Sequence, residues 1–150
     1  VYIQSPYLLP TEPILLALKT AAAAGVDVRI MIPEKSDSRM VHWGTMSYLQ
    51  ELMEAGIKIY MYQKGFLHSK LIVCDDCLSS VGSTNMDFRS FEHNFEINAF
   101  MYDKTSALML KEIFLSDQKD AKLLHLKEWR MRPWSQKVKE SVIRLFAPLL

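Results

Sequence analysis

At 150 residues with 49% hydrophobic and 23% charged side chains, the chain has the size and composition of one core-forming domain, not of a disordered or low-complexity segment. Its 18 Lys and Arg against 17 Asp and Glu leave a formal charge of +1, which argues against a protein that coats nucleic acid. Two cysteines, Cys74 and Cys77, are too few for a disulfide framework and predict a reducing compartment, and no run nears the ~18 apolar residues of a membrane span.

Strand and helix signals then alternate. Val1 to Gln4 is a short β-rich run closed by Ser5-Pro6 and Pro10, entered with no Met or lead-in, so a piece of a longer chain is expected. Thr11 or Glu12 starts a helix with Pro13 in its first turn; Ile14, Leu15, Leu18 and Ala22 form its apolar face and Gly25 ends it. Val26 to Ile32 alternates as a strand and stops at Pro33. Residues 40–55 predict an amphipathic helix through Met46, Leu49, Leu52 and Met53, ended by Gly56, and Ile57 to Tyr62 predicts a strand. A dense β region follows: Leu67 to Cys74, Leu78 to Gly82, and Asn94 to Tyr102. A helix is expected from Lys104 to Asp117, then one or two more broken by Pro133. The pattern predicts an α/β protein, a β-sheet flanked by helices in layers, as one domain over residues 1–150.

Charge is unevenly spread. Residues 119–150 carry eight basic and three acidic side chains, net +5, while residues 1–118 carry 10 basic and 14 acidic, net −4. In the basic tail, Trp129, Trp134, Arg130, Arg132, Lys137, Lys139 and Arg144 flank Val138, Val142, Leu145 and Phe146 at helical spacing. That pattern suits an anionic membrane surface, or a helix packing its stripe on the core with its cations in water.

The chemistry concentrates in Phe66-Leu67-His68-Ser69-Lys70-Leu71-Ile72-Val73-Cys74-Asp75 and Gly82-Ser83-Thr84-Asn85. On a strand, His68 and Lys70 share one face and Leu71 and Val73 the other. A neutral imidazole is a nucleophile or base near pH 7, and an ammonium anchors a phosphate. Gly82 permits close backbone approach, while Ser83 and Asn85 offer donors to phosphate oxygens. On the next strand Phe95, Ile97, Ala99 and Met101 alternate with Asn94, Glu96 and Asn98, so Glu96 is expected on a polar face, accepting from the far nitrogen of His68.

The spacing His68-x-Lys70-x4-Asp75-x6-Gly82-Ser83-x-Asn85 resembles the signature of the phospholipase D superfamily. The flanks Ile3-Gln4-Ser5-Pro6-Tyr7, Gly25-Val26-Asp27-Val28-Arg29, Asn85-Met86-Asp87-Phe88-Arg89-Ser90 and Asn94-Phe95-Glu96-Ile97-Asn98 are similar to its bacterial cardiolipin synthase branch, as is the closing Ala147-Pro148-Leu149-Leu150. The resemblance implies a phospholipase D-like layered sandwich and phosphatidyl transfer between two phosphatidylglycerols, with glycerol released. It further implies a covalent phosphohistidine on His68 without metal or other cofactor. Lys70, Ser83 and Asn85 would hold the phosphate, Glu96 would support His68, and Asp75 completes the catalytic motif. Asp75 shares strand parity with Leu71 and Val73, so it is expected to brace the scaffold, paired away from the pocket.

Family enzymes have two such motifs, and one complete motif stands here; His42, His93 and His125 do not supply another. The partner is therefore expected to be an N-terminal half of the same enzyme or a second copy of the chain, at the cytoplasmic face of a bacterial membrane. The alternative is a single-motif phosphodiesterase acting on nucleic acid as a homodimer, which the near-neutral charge and the flanks disfavour. Cys74-Asp75-Asp76-Cys77 is one CxxC without spaced histidines, a weak metal motif. His42-Trp43 reads as a helix surface pair and Glu92-His93 as a loop pair. Arg89 has two readings, a phosphate contact and an ordinary salt bridge, and Tyr7 stands where the first strand reaches the pocket.

Overall fold

The structure, a computed structural model, describes residues 1–149. Strand β1 (Tyr2–Gln4) leads through β2 (Leu8–Leu9) and helix α1 (Glu12–Ala23) to β3 (Arg29–Pro33), which lies parallel to β1. Helix α2 (Arg39–Glu54) carries the chain to β4 (Lys58–Tyr62), parallel to β3. These two crossovers make the parallel centre of the sheet. Gly25 and Gly56, at φ 87° and 92°, follow α1 and α2 in the left-handed conformation that ends a helix. The remaining elements are β5 (Leu71–Cys74), β6 (Leu78–Gly82), β7 (Met86–Asp87), α3 (Phe88–Glu92), β8 (Asn98–Met101) and α4 (Lys104–Gln118). They are followed by β9 (Ala121–Leu123), α5 (Leu126–Arg130), α6 (Trp134–Arg144) and a 3-10 turn at Ala147–Leu149.

The seven-stranded sheet runs β8-β6-β5-β1-β3-β4-β9, and β2 pairs separately with β7. Strands β5, β6, β8 and β9 enter antiparallel to their neighbours, so the sheet is mixed. Alternation along the strands separates two cores. Ile3, Ile30, Ile32, Ile59 and Met61 face Leu49, Leu52 and Trp129 on one side. Met31, Tyr60, Leu71 and Val73 face Ala107 and Phe114 of α4 on the other. The predicted layered α/β class is what the chain adopts.

Several boundaries differ from the pattern-based expectations. Residues 67–70 and 94–97 carry no strand pairing, so β5 begins at Leu71 and β8 at Asn98. The β3 strand starts at Arg29 and includes Pro33, three residues later than hydrophobicity suggests, because pairing with β1 begins at Tyr2↔Arg29. Strand β9 lies inside the basic tail and pairs with β4 through Tyr60↔Leu123, a long-range contact that a three-residue run does not announce. The apolar stripe of α6 does not pack on the core: Val138, Val142, Leu145 and Phe146 are all exposed. His42 is half-buried between α2 and α6, where desolvation lowers its pKa, and is not the surface residue expected.

Asp27 ties the parallel strands together at their start, holding Arg29 Nη2 and Lys58 Nζ each at 2.7 Å. The Arg29 hydrogen bond, opposed by burial and helped by Lys58, lowers its carboxyl from 3.8 to about 2. A carboxyl whose folded pKa lies below its unfolded one adds stability above the unfolded value, and this is lost as pH falls toward the folded one. Thermal unfolding is therefore expected to show a loss between about pH 4 and pH 2 that is smaller in Asp27→Asn, by no more than about 1 kcal/mol because the group is half-exposed. Identical acid slopes in the two proteins would contradict this.

Candidate functional site

His68 and Lys70 leave the sheet just before β5, at the end where β1 finishes in Gln4. Lys70 Nζ donates to the His68 carbonyl at 2.9 Å and stands 3.3 Å from both Nδ1 and Nε2 of the ring. The imidazole is exposed and lies against the Phe66 ring, centroids 5.4 Å apart. Thus the two side chains meet as the motif suggests, although the segment is not a strand. Ser69 points the other way, and its Oγ donates to Gln4 Oε1 at 2.7 Å. Gln4 is buried to 2% exposure and donates from Nε2 to Asp117 of α4 at 2.8 Å. A Ser69–Gln4–Asp117 chain therefore anchors the segment from behind the site.

Gly82 closes β6 opposite Asn98 of β8. A Cβ at Gly82 would overlap Ile97 O and Asn98 Oδ1 and come to 2.7 Å from Asn98 Cα. The glycine is thus required by the close approach of the neighbouring antiparallel strand β8. The same approach sets up the next contacts: Ser83 N donates to Ile97 O at 2.9 Å, and Ser83 Oγ accepts from Ile97 N at 3.0 Å.

Glu96 is placed differently from expectation. Its carboxylate accepts from Ser83 Oγ, from Ser90 Oγ at 2.9 Å and from Asn94 Nδ2 at 3.2 Å, with no hydrogen bond to His68 among the described residues. The Ser83 and Ser90 hydroxyls hold this carboxyl below the usual carboxylate range, against a small desolvation cost. The physical reason is that residues 94–97 are a loop, so strand alternation does not aim Glu96 at the histidine. Ser83 is corrected with it: its hydroxyl proton serves Glu96, so it is not a free phosphate donor in this arrangement. Asn85 remains available. Its backbone N–H donates to Ser90 Oγ at 3.1 Å, while its side-chain Oδ1 is buried without a partner among the described residues.

Asp75 lies at the opposite end of β5 from His68, in the tight turn to β6, where it and Asp76 have φ of 49° and 55°. Two consecutive left-handed residues form the turn, closed by Cys77 N donating to Cys74 O at 3.2 Å within the three-residue connection 75–77, and Asp tolerates that conformation. Asp75 was expected to be paired away from the pocket. It is away, but the ion pair belongs to its neighbour: Lys111 Nζ meets Asp76 Oδ1 at 2.7 Å. A cavity of about 460 Å³ lies at this end, lined by Val1, Asp75, Asp76 and Lys111, and is remote from His68. Cys74 and Cys77 are both free thiols, and no group of three metal-ligating side chains occurs among the described residues. Arg89 is exposed and makes no ion pair among them.

Three acidic groups act on Lys70: Glu96, and two that motif reading passes over or leaves as flanking sequence, Asp37 and Asp87. Burial lowers the Lys70 pKa, opposed by the charges of Glu96, Asp87 and Asp37. Asp87 is buried and caps α3, accepting from Ser90 N at 2.8 Å. Its signal was the Asp-x-x-Ser spacing of a helix N-cap. Tyr7 donates to the Asp37 carboxylate at 2.8 and 2.9 Å. Burial, reinforced by the Asp37 hydrogen bond and charge, pushes its hydroxyl up to about 12, so Tyr7 stays protonated. His125-Leu126-Lys127 repeats the His-x-Lys spacing without the rest of the motif. Arg132 replaces the motif's Asp there, and His125 only precedes α5 as its N-cap.

A family model described as cardiolipin synthase, PLD-like domain, matches residues 1–118. The chain belongs to this phospholipase D-like family. Relatives include cardiolipin synthase 1 of Staphylococcus epidermidis, 49% identical over 150 residues, and a cardiolipin synthase of Geobacillus sp. (strain WCH70), 50% identical over 150 residues. Each match covers all of this chain but 31% and 30% of the relative, so the chain spans about a third of their length. Among solved structures, phosphatidylserine synthase of Haemophilus influenzae superposes with a TM-score of 0.76 at 17% identity, over 99% of this chain and 41% of that one. Nuc of Salmonella typhimurium, a phospholipase D family member, superposes with a TM-score of 0.69 at 23% identity, over 82% and 80%. These likenesses establish the family's mixed α/β fold.

Proposed function

We propose that this chain is one catalytic half of a cardiolipin synthase, a phosphatidyltransferase that joins two phosphatidylglycerols and releases glycerol at the cytoplasmic face of a bacterial membrane. The observation that carries the reading is the exposed His68 ring with the Lys70 ammonium 3.3 Å from its nitrogens, in a family whose similar members are cardiolipin synthases. A ring nitrogen of His68 attacks phosphorus, forming an N–P bond as the P–O bond to glycerol breaks. The leaving oxygen takes a proton from an acid on the partner half. A second phosphatidylglycerol hydroxyl then gives its proton back to that group and takes the phosphatidyl group from His68.

Lys70 and the Asn85 amide stabilise the phosphate oxygens as charge builds on them. Glu96 keeps Ser83 and Ser90 in register, which holds the Gly82–Asn85 turn in place. Asp75 acts on the scaffold by shaping the β5–β6 turn. No metal or other cofactor takes part in this sequence of steps.

The partner half supplies the acid–base group, and a face fit to receive it adjoins the site. Edge strand β8 and the residues on either side of it leave Phe95, Ile97, Phe100 and Tyr102 at 106%, 80%, 60% and 81% exposure. Patches of that kind mark interaction surfaces. The test combines this chain with the remainder of its enzyme and supplies labelled phosphatidylglycerol. Cardiolipin and free glycerol in equal amounts support the reading. Cleavage of DNA by the 150-residue chain alone overturns it in favour of a nuclease homodimer.

A further inference from the structure

Helix α6 turns two opposite faces to different surroundings. Its inner face packs on α2. Glu140 is 6% exposed and binds Arg132 Nη1 and Nη2 at 2.7 and 2.9 Å, and Arg144 reaches Glu51 of α2 at 2.8 Å. At about 100° per residue, Trp134, Val138, Val142 and Leu145 fall on the opposite side. They are 78%, 38%, 48% and 79% exposed, and Met131 before the helix and Leu149 after it extend the stripe at 77% and 78%. Single exposed apolar residues are ordinary, but four on one helical face with one more beyond each end are a surface.

The charges around the stripe indicate its occupant. Lys137 and Lys139 stand on its two shoulders, Lys137 Nζ donating to the Arg130 carbonyl at 2.6 Å and Lys139 Nζ lying 6.0 Å from the Trp43 ring of α2. The only carboxylate side chain between Trp129 and Leu149 is Glu140, which is buried and paired with Arg132. The segment therefore turns outward Trp, Met and aliphatic groups edged by lysines, with no acid of its own; Glu12 of α1 is exposed beside its Leu145 end. Protein interfaces deplete lysine, whereas a helix lying in a bilayer interface places Trp among the headgroups, aliphatic groups at the acyl boundary and lysines toward anionic lipid. We infer that α6, with Met131 and Leu149, is a peripheral membrane contact that lies flat on an anionic bilayer. The helix ends in the 3-10 turn packed against α3, whose Ser90 holds Glu96, so docking would set the candidate site beside the lipid surface. The inference is independent of the transfer chemistry, since no residue of the stripe touches His68 or Lys70.

The experiment is co-sedimentation of the chain with phosphatidylcholine vesicles with and without about 30 mol% phosphatidylserine, an anionic lipid other than the proposed substrate, at about 0.05 and 0.5 M salt. Expected are binding to the anionic vesicles, weakening with salt, and a blue shift of tryptophan emission. Trp134→Asp combined with Leu145→Asp should reduce binding at least ~10-fold without altering the circular dichroism, since both side chains are mostly exposed. Lys139→Glu should weaken binding to anionic vesicles with the apolar stripe intact, and His68→Ala should bind as the parent does, so loss of membrane contact and loss of chemistry read separately. Undiminished binding by the Asp double variant overturns the inference. So does a chain that ignores vesicles and is dimeric by light scattering, with the double variant monomeric.

Discussion

His68→Ala, in the presence of the rest of the enzyme, is expected to abolish both cardiolipin formation and glycerol release, a loss of at least ~10⁴-fold in kcat. The size follows from the role: without the ring nitrogen no N–P bond forms, and the residual rate reflects binding and electrostatics alone. Stability should not follow activity. The imidazole is exposed, and the Lys70 hydrogen bond that fixes the segment goes to the His68 carbonyl, which alanine keeps. Equal unfolding midpoints with activity lost would separate nucleophile from scaffold. A labelled phosphatidyl group that is acid-labile and absent from the variant would locate the bond on this ring. Retention of turnover by His68→Ala would remove the proposed mechanism altogether.

Gly82→Ala is expected to damage fold and site together. The new methyl would meet Ile97 O and Asn98 of β8, backbone that cannot swing aside as a flexible side chain would. Forcing extra volume into such contact costs about 1–3 kcal/mol, or ~2–12 °C in Tm for a chain of this size. The displaced strand carries Ile97, on which Ser83 is bonded both ways, and the loop that presents Glu96. Transfer should therefore fall beyond what the unfolded fraction explains. Val81→Ala, one residue earlier with its side chain 40% exposed, is the control and should shift stability by less than about 0.5 kcal/mol. An unchanged Tm in Gly82→Ala would mean that β8 does not approach Gly82 this closely.

Much of the molecule is legible from local pattern. Helices α1 and α2 end at Gly25 and Gly56 because a left-handed residue stops a helix wherever it stands. The His68-x-Lys70 contact spans two residues and survives even without strand geometry. What local pattern misses are contacts made across the chain. Tyr7 meets Asp37 thirty positions away, and Gln4 meets Asp117 across 113. Glu96 was misdirected for a related reason: alternation was extended into residues that the sheet does not pair, so its carboxylate found Ser83, Ser90 and Asn94 in place of the histidine.

By itself, then, the sequence determined the family chemistry of this protein: an imidazole and an ammonium at fixed short spacing, a glycine before Ser83 and Asn85, and alternating β and α periods. Those are properties of neighbouring residues and of side-chain type. Only the tertiary structure decided which carboxylates act on Lys70, that Gly82 is compelled by the neighbouring strand β8, and that α6 buries Glu140 against Arg132 while turning Trp134 and Leu145 outward. An amphipathic helix has the same periodicity whichever side it buries. The choice is made by which face finds partners, here the α2 surface with Glu51, and no local pattern contains that information.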